Sequence, residues 1–206
     1  MPMHEPSELF QRILSLQRAG ADDLDSQIWG QFGCERAVLV LDSTGFSRVT
    51  NSHGIIHYLG LIARLREIVI PAFDTHGSLR CRAEADKIYA EFESTDQALA
   101  AAIAANRSID EHSLMLTETE AYSLCIGIGF GPLLECGKDG LYGAEMNLAS
   151  RLGEDTAEAR EILLTEAAWQ SLPSDRRDGF DERFMGIAAT SIRYYWMYLP
   201  QSGPKD

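Results

Sequence analysis

The sequence contains few cysteines, no long apolar run and no excess of basic residues. Its four cysteines among 206 residues have no C-x-x-C spacing, so we expect free thiols and a reducing, cytoplasmic location. No apolar run approaches the ~20 residues that a membrane-spanning helix needs, so we expect no membrane span. The segment Met1-Pro-Met-His-Glu-Pro6 lacks a basic region followed by an apolar one, and we therefore expect no signal peptide.

Acidic residues outnumber basic residues. The 31 Asp and Glu residues and the 18 Lys and Arg residues give a formal net charge of -13. This charge repels nucleic acid phosphates at long range, so we expect no DNA or RNA partner. Hydrophobic residues make up 45% of the chain and charged residues 24%, as is typical of a globular protein. The length suits one domain with a sizeable core.

The apolar periodicity predicts alternating strands and helices. The predicted elements are helices over about 7–17 and 24–32, a strand over 37–42, a long helix over 52–73, a hairpin that turns at 85–86, a helix over 95–109, a polar surface loop over 110–120, strands over 122–130 and 133–136, a helix over 143–152, a strand over 162–165, a short helix to 172, and strands over 180–187 and 190–199.

The order of these elements predicts an α+β, ferredoxin-like β-α-β-β-α-β fold, with extra C-terminal strands and a helical N-terminal extension. We expect residues 1–35 to form the extension, 36–200 the main domain, and 201–206 a frayed tail. The extension either packs against the flank of the core or forms a dimerisation or regulatory stem.

Two aspartates lie at the ends of predicted strands. Asp42 follows the apolar run 37–41, and Asp86 lies in the predicted hairpin turn. In a ferredoxin-like sheet the first strand neighbours the hairpin strand, so both carboxylates can meet at one end of the sheet. An unpaired buried carboxylate is costly, whereas two that converge can hold divalent metal ions. The alternative for Asp42 is an ordinary turn residue in Asp42-Ser-Thr-Gly45.

Three segments, in order, resemble the motifs of one family. Asp42-Ser-Thr-Gly-Phe-Ser47 is similar to its D-x-x-G-F-[ST] segment, and Arg82-Ala-Glu-Ala-Asp86 is similar to its K-x-x-G-D hairpin. Tyr142-Gly-Ala-Glu-Met-Asn-Leu-Ala-Ser-Arg151-Leu152 resembles its W-G-x-x-V-N-x-A-S-R-M helix. The family is that of class III nucleotidyl (adenylate/guanylate) cyclase catalytic domains, bacterial type, and the resemblance spans about 37–169.

The resemblance implies an adenylate cyclase that converts ATP to cyclic AMP and pyrophosphate in a homodimer with shared active sites. It implies that Asp42, Asp86 and the carbonyl group of Ser43 hold two Mg²⁺ or Mn²⁺ ions, which prefer such oxygen ligands. One ion would lower the pKa of the ribose 3′-hydroxyl group, and the other would neutralise the polyphosphate. With a net charge of -13, metal ions and local Arg or Lys side chains are needed to bind a triphosphate.

A pair of helical residues carries the catalytic roles that the resemblance implies. Asn147 would position the ribose, and Arg151 would stabilise the charge that develops on the phosphate of a nucleotide held by the other subunit. The two residues are four apart and share one helix face. The alternative is a solvated helix face on which both side chains are merely exposed.

The resemblance also implies a substrate-binding set, in which two positions depart from the family pattern. The set comprises Phe46, Arg82, Asp139 and Gly140. Arg82 stands in place of a lysine, and Gly140, which offers no acceptor to an adenine amino group, stands in place of an aspartate. Asp139 is a possible substitute. Two further hypotheses are therefore open: a cyclase for GTP or a pyrimidine triphosphate, and a non-catalytic nucleotide-binding or regulatory module.

A lysine that binds the triphosphate in the family has no clear counterpart. Aligning on Tyr195-Trp196 places Ile187 or Ala189 near its position, and the sequence does not choose among the basic residues that could serve instead. Those residues are Lys87, Lys138, Arg183 and Arg193.

The glycine-rich segment Gly127-Ile-Gly-Phe-Gly131 is not a phosphate-binding loop, because it lies within a predicted strand rather than at a strand-to-helix turn. It resembles the family's R-I-G-I-x-x-G strand, in which glycines permit close packing, and we expect a structural strand that ends at Gly131-Pro132.

Overall fold

The computed structural model describes residues 7–187 and 190–201, and at positions 46, 47, 138 and 187 it describes the backbone alone. The strands are β1 (Gly33–Ser43), β2 (Arg80–Glu84), β3 (Lys87–Phe92), β4 (Leu124–Glu135), β5 (Leu141–Tyr142), β6 (Glu161–Thr165), β7 (Asp181–Ile187) and β8 (Thr190–Tyr198). The helices are α1 (Glu8–Ala19), α2 (Leu24–Phe32), α3 (Phe46–His53), α4 (Ile55–Thr75), α5 (Thr95–Glu111), α6 (Ala144–Ser150) and α7 (Glu166–Ser171).

One mixed sheet joins these strands in the order β2-β3-β1-β4-β6-β8-β7, and β5 pairs with β4. The central strand β1 runs antiparallel to both β3 and β4, whereas β4 and β6 are parallel. The α+β, ferredoxin-like prediction is confirmed, and β7 and β8 are the extra C-terminal strands. The hairpin turns at Ala85 and Asp86, as the sequence predicts.

The two faces of β1 are covered by different helices, because successive side chains of a strand point to opposite sides. Leu39 and Leu41 are fully buried in the main core, which also contains the apolar faces of α4 and α5. Val38 and Val40 point to the other side, where Ala149 of α6 covers them. Both faces are buried along Ala37–Leu41, so this run is apolar throughout rather than alternating.

Several predicted boundaries differ from the structure. The long helix predicted over 52–73 is interrupted at Gly54, whose φ of 85° and ψ of 161° lie outside the helical region, and it is therefore divided into α3 and α4. The strands predicted over 122–130 and 133–136 form the single strand β4. The helix predicted over 143–152 ends as α6 at Ser150 and continues as a π-helical turn, Arg151–Thr156.

The segment 110–120, predicted to be a polar surface loop, instead contributes to the core. Leu114 and Leu116 are buried in the main cluster, and a bridge between Met115 and Ala121 closes the loop on itself. The prediction was wrong because two leucines in an otherwise polar segment are too few to show the hydrophobic periodicity of a buried strand or helix.

The N-terminal helices pack against one end of β4. Leu9 and Leu16 of α1 and Ile28 of α2 form a small apolar cluster with Cys136, which follows β4. The structure thus contains the flank packing that was one of two interpretations of the extension. Its role as a stem, and the domain boundaries at 35/36 and 200/201, stay predictions.

All four cysteines are free thiols, as expected. Within 7–187 and 190–201, no helix combines the length and apolar character that crossing a membrane requires.

Candidate active site

The two aspartates meet at one end of the sheet, as the strand pattern predicts. Leu41 of β1 pairs with Ile88 of β3, so Asp42 at the end of β1 lies beside the turn that carries Asp86. The hydroxyl group of Tyr58, on α4, donates a hydrogen bond to Asp86 Oδ2 at 3.1 Å and lies 3.1 Å from Ser43 Oγ. These contacts bring Asp42, Ser43 and Asp86 into one polar cluster.

The Asp42 carboxylate is half-buried and electrostatically strained. Burial raises its pKa to about 6, against the lowering effect of the hydrogen bond that the Ser43 amide donates to Oδ1 at 2.8 Å. The negative charges of Asp86 and Glu154 raise this pKa further, and the positive charge of Lys87 lowers it. A divalent cation between the two aspartates would relieve the repulsion, so the donor set fits a hard metal ion.

Protein side chains alone do not complete such a site. Over the part of the chain that the structure describes, no group of three or more His, Cys, Asp or Glu side chains is arranged to hold a metal ion. Two carboxylates and a backbone carbonyl leave positions for water and for phosphate oxygens, which is the usual arrangement for Mg²⁺ at phosphate-handling sites.

Sequence reasoning missed Glu154 as a member of this site. Its carboxylate forms an ion pair with Lys87 and accepts a hydrogen bond from the Tyr89 hydroxyl group at 3.3 Å. Glu154 lies in the π-helical turn after α6, where Gly153 approaches the backbone of β1: a Cβ atom on Gly153 would lie 2.6 Å from the Val40 carbonyl oxygen. The only sequence signal for Glu154 was its position directly after Gly153, and a glycine next to an acidic residue is too common to identify a site residue.

Arg82 and Gly140, two residues of the predicted substrate-binding set, are neighbours. A Cβ atom on Gly140 would lie 3.8 Å from an Arg82 guanidinium nitrogen, and the guanidinium group lies 4.9 Å from the centre of the Tyr89 ring. The space between them is a small pocket of about 30 Å³. Side chains that line it include Val38, Arg82, Tyr89, Glu91, Leu141 and Met146.

The other two members of that set are not brought to this pocket by any described contact. The Asp139 carboxylate lies 4.0 Å from Cys136 Sγ, and no ion pair joins it to Arg82 within the described residues. That Asp139 replaces the acceptor that Gly140 lacks stays a prediction. Phe46 begins α3, but its side chain lies outside the described part of the structure.

Asn147 and Arg151 are both exposed on the α6 side of the sheet. Neither side chain forms a hydrogen bond or an ion pair with any residue that the structure describes, and no described contact joins them to Asp42 or Asp86. Within this chain, the two halves of the predicted site are therefore not in direct contact among the described residues.

Helix α6, which carries Asn147 and ends just before Arg151, packs closely on two glycines of β4. A Cβ atom on Gly127 would lie 2.2 Å from the Ala149 carbonyl oxygen, and one on Gly129 would lie 2.6 Å from that of Glu145. Only strand residues without side chains allow α6 this close approach to β4.

The candidate basic residues for a triphosphate are mostly engaged elsewhere. Arg193 lies 3.6 Å from Glu166 and 3.7 Å from Glu182, and Arg183 stacks on Trp196 with its guanidinium carbon 3.6 Å from the ring centre. Lys87 is paired with Glu154. Ala189 and the side chains of Lys138 and Ile187 lie outside the described part of the structure.

Comparison with known proteins identifies this architecture. No protein-family model matches the sequence, and no curated protein matches it. Among solved structures, an adenylate/guanylate cyclase/hydrolase from Silicibacter pomeroyi is 22% identical, with a TM-score of 0.69 over 82% of this chain and 98% of that chain.

Two further solved structures are cyclase domains in complex with nucleotides. The catalytic core of a rhodopsin-guanylyl cyclase with converted specificity, in complex with ATPαS, is 17% identical, with a TM-score of 0.65 over 80% of this chain and 97% of that one. The guanylate cyclase domain of RhGC from Catenaria anguillulae, in complex with GTP, is 16% identical, with a TM-score of 0.64 over 82% and 97%. The chain therefore has the fold of class III adenylate/guanylate cyclase catalytic domains.

Proposed function

We propose that the chain is a nucleotidyl cyclase that converts a nucleoside triphosphate, with ATP as the first candidate, to the cyclic nucleotide and pyrophosphate. The observation that carries the proposal is the convergence of Asp42 and Asp86 at one end of the sheet, with Ser43 between them. The fold and the order of the three motifs support it, because the resembled family carries similar motifs in the same order along the chain.

In this proposal Asp42, Asp86 and the carbonyl group of Ser43 hold two Mg²⁺ or Mn²⁺ ions. When bound, these ions lower the pKa of the ribose 3′-hydroxyl group and neutralise the polyphosphate. The ribose 3′-hydroxyl group loses its proton to water, its oxygen forms a bond to the α-phosphorus, the bond from that phosphorus to the bridging oxygen breaks, and pyrophosphate leaves. The exposed Asn147 orients the ribose, and Arg151 stabilises the charge that develops on the α-phosphate.

The separation of the two halves supports a homodimer. Asn147 and Arg151 have no described contact with the aspartates of their own protomer, so we propose that a second copy brings them to the nucleotide. Each dimer would then contain two shared sites.

A second candidate substrate is GTP. The Arg82 guanidinium group next to Gly140 offers paired donors and no acceptor, and arginine suits the O6 and N7 acceptors of guanine. Glu91 lines the same pocket, and its carboxylate, 3.7 Å from the Arg80 guanidinium group, would have to turn toward the guanine to accept from its ring N–H and amino groups.

The test is to incubate the purified protein with ATP, GTP, CTP or UTP in Mg²⁺ or Mn²⁺ and to identify products by mass spectrometry. We expect one cyclic nucleotide to dominate and Asp42→Asn or Asp86→Asn to abolish it. If the folded dimer forms no cyclic product from any of the four, catalysis is excluded. Binding of a triphosphate without turnover would instead favour the non-catalytic module.

Shared sites are tested by mixing two inactive variants. Asp86→Asn and Arg151→Ala would each be inactive alone, but a mixed dimer would contain one intact site, so random mixing should restore about a quarter of the wild-type activity. Absence of any recovery, with subunit exchange verified, would contradict the shared-site arrangement.

A further inference from the structure

The hydroxyl group of Tyr58 lies between the two strands that carry the aspartates. The tyrosine is fully buried on α4, and its hydroxyl oxygen is 3.1 Å from both Asp86 Oδ2 and Ser43 Oγ. A phenolic hydroxyl group has one proton to donate, and the carboxylate can only accept. Tyr58 therefore donates to Asp86, and its oxygen accepts from Ser43.

A second side chain from α4 holds the same turn. Arg66 donates a hydrogen bond from Nη2 to the Ala85 carbonyl oxygen at 2.6 Å. Ala85 has a φ of 51°, a left-handed conformation that is unfavourable for a residue with a side chain. The turn is thus held in a strained conformation by one contact to its backbone and one contact to the Asp86 carboxylate.

These contacts leave one oxygen of each aspartate available. Asp42 Oδ1 accepts from the Ser43 amide, and Asp86 Oδ2 accepts from Tyr58. Within the described residues, the other oxygen of each carboxylate has no hydrogen-bond donor from the protein. The hydroxyl group of Tyr58 therefore fixes the rotation of the Asp86 carboxylate and determines which oxygen stays available to a cation.

We propose that Tyr58 is a positioning residue for a divalent-metal site at Asp42 and Asp86; the inference rests on the proposed function. Groups that hydrogen-bond metal ligands orient them before the ion arrives, and losing such a group typically weakens metal affinity about 10- to 100-fold. Tyr58 lies against Asp86 and Ser43 and is not placed to touch the reacting atoms. Its removal therefore weakens metal binding and leaves turnover nearly unchanged once the metal site is saturated.

The experiment measures Mn²⁺ affinity without nucleotide, by isothermal titration calorimetry, for wild type, Tyr58→Phe and Tyr194→Phe. Tyr194 is the control: it is also a buried tyrosine, but it lies in the separate apolar cluster with Leu152 and Leu163. We expect Tyr58→Phe to weaken Mn²⁺ binding about tenfold and Tyr194→Phe to leave it unchanged. With triphosphate present, the Mn²⁺ concentration for half-maximal activity should rise by a similar factor at nearly constant kcat.

Thermal unfolding separates positioning from a structural role. If Tyr58 only stabilises the fold, Tyr58→Phe lowers Tm equally with and without Mn²⁺ and its Mn²⁺ affinity equals that of wild type, which overturns the inference alone. If wild type itself binds no Mn²⁺, the proposed function and the inference both fall. Should Tyr58→Phe not fold, a crystal structure of the wild type with bound Mn²⁺ gives the test: an Asp86 carboxylate that has left the Tyr58 hydroxyl group on binding the ion overturns the inference.

Discussion

The Lys87 ammonium group and the Glu154 carboxylate form an ion pair next to Asp42. Lys87 directly follows Asp86 and is therefore the basic residue nearest to the proposed metal site in sequence. As long as it is paired with Glu154, its charge is not available to an incoming polyphosphate. Lys87 is one of the basic residues that could serve in place of the missing triphosphate lysine, and this ion pair occupies it.

Removing the Glu154 charge should strengthen triphosphate binding. In Glu154→Gln, Lys87 is free to bind a phosphate oxygen, so we expect KM for the triphosphate to fall about three- to tenfold, as for one charge-assisted hydrogen bond. The pKa of Asp42 should also fall, because Glu154 raises it. Steady-state kinetics and an NMR titration of the Asp42 carboxyl group measure the two effects. Lys87→Gln is the control, and an equal fall of KM in both variants would contradict the explanation.

The raised pKa of Asp42 predicts a definite pH dependence of stability. Because the pKa is about 6 in the folded protein and 3.8 otherwise, the native state binds more protons than the unfolded state between about pH 4 and 6. The contribution of Asp42 therefore destabilises the metal-free protein progressively as pH rises through that window. Asp42 is partly exposed, so solvent screening limits the effect to about 1 kcal/mol.

Asp42→Asn keeps an acceptor for the Ser43 amide but removes the charge. In chelator, we expect the free energy of unfolding of this variant, relative to wild type, to rise by about 1 kcal/mol between pH 4 and pH 7. Urea denaturation at both pH values measures it. Saturating Mn²⁺ should reverse the order at pH 7, because only wild type gains from binding metal. A difference independent of both pH and metal would show that Asp42 carries no strained charge.

The sheet and the meeting of the aspartates could be predicted because both depend on local patterns. The fully apolar run Ala37–Leu41 identifies a strand buried on both faces, and the hairpin turn at Ala85 fixes the register of β3 beside it. The glycines at 127 and 129 were interpreted correctly for the same reason, since a strand pattern surrounds them. The order of the three motifs then linked segments that are distant in sequence to one site, which hydrophobic periodicity alone could not do.

The contributions of Tyr58 and Glu154 could not be predicted, because each depends on tertiary geometry. Tyr58 lies on the apolar face of α4, where a tyrosine is indistinguishable from other core residues until its hydroxyl group is placed. Glu154 lies in a π-helical turn, which points its side chain at Lys87. If α6 had continued as a regular α-helix, the side chain of Glu154 would point in a different direction. The break at Gly54 could not be predicted either, because the apolar residues of the predicted helix over 52–73 continue through it without a change of spacing.

The close approach of α6 to β4 predicts opposite effects for two glycine substitutions. In Gly127→Ala the added carbon would lie 2.2 Å from a backbone oxygen of α6, so the helix must move, and we expect a loss of several kcal/mol, roughly 3 or more. Gly60, in the interior of α4, has open space around its Cβ position, and Gly60→Ala should add about 0.5–1 kcal/mol. Chemical denaturation measures both changes. Equal effects would mean that α6 does not rest on β4.

The buried ion pair of Arg160 and Asp110 gives a prediction about the end of the chain. Both side chains are almost fully buried, and the guanidinium group donates two hydrogen bonds of 2.9 Å to the carboxylate. It also donates to the carbonyl oxygens of Leu199 at 2.7 Å and Pro200 at 3.2 Å, which ties the end of β8 to α5. Arg160 thus joins three segments that are distant in sequence.

Removing one partner of this pair leaves an uncompensated buried charge. Asp110→Asn should therefore cost about 3–5 kcal/mol of the free energy of unfolding, whereas Asp110→Leu combined with Arg160→Met should recover a large part of that loss. Urea denaturation of the three proteins gives the values. Amide hydrogen exchange over 190–199 should also accelerate in Asp110→Asn relative to β1, because the carbonyl contacts weaken with the pair. If the double variant is no more stable than the single one, the loss arises from the carbonyl contacts rather than from the unpaired charge.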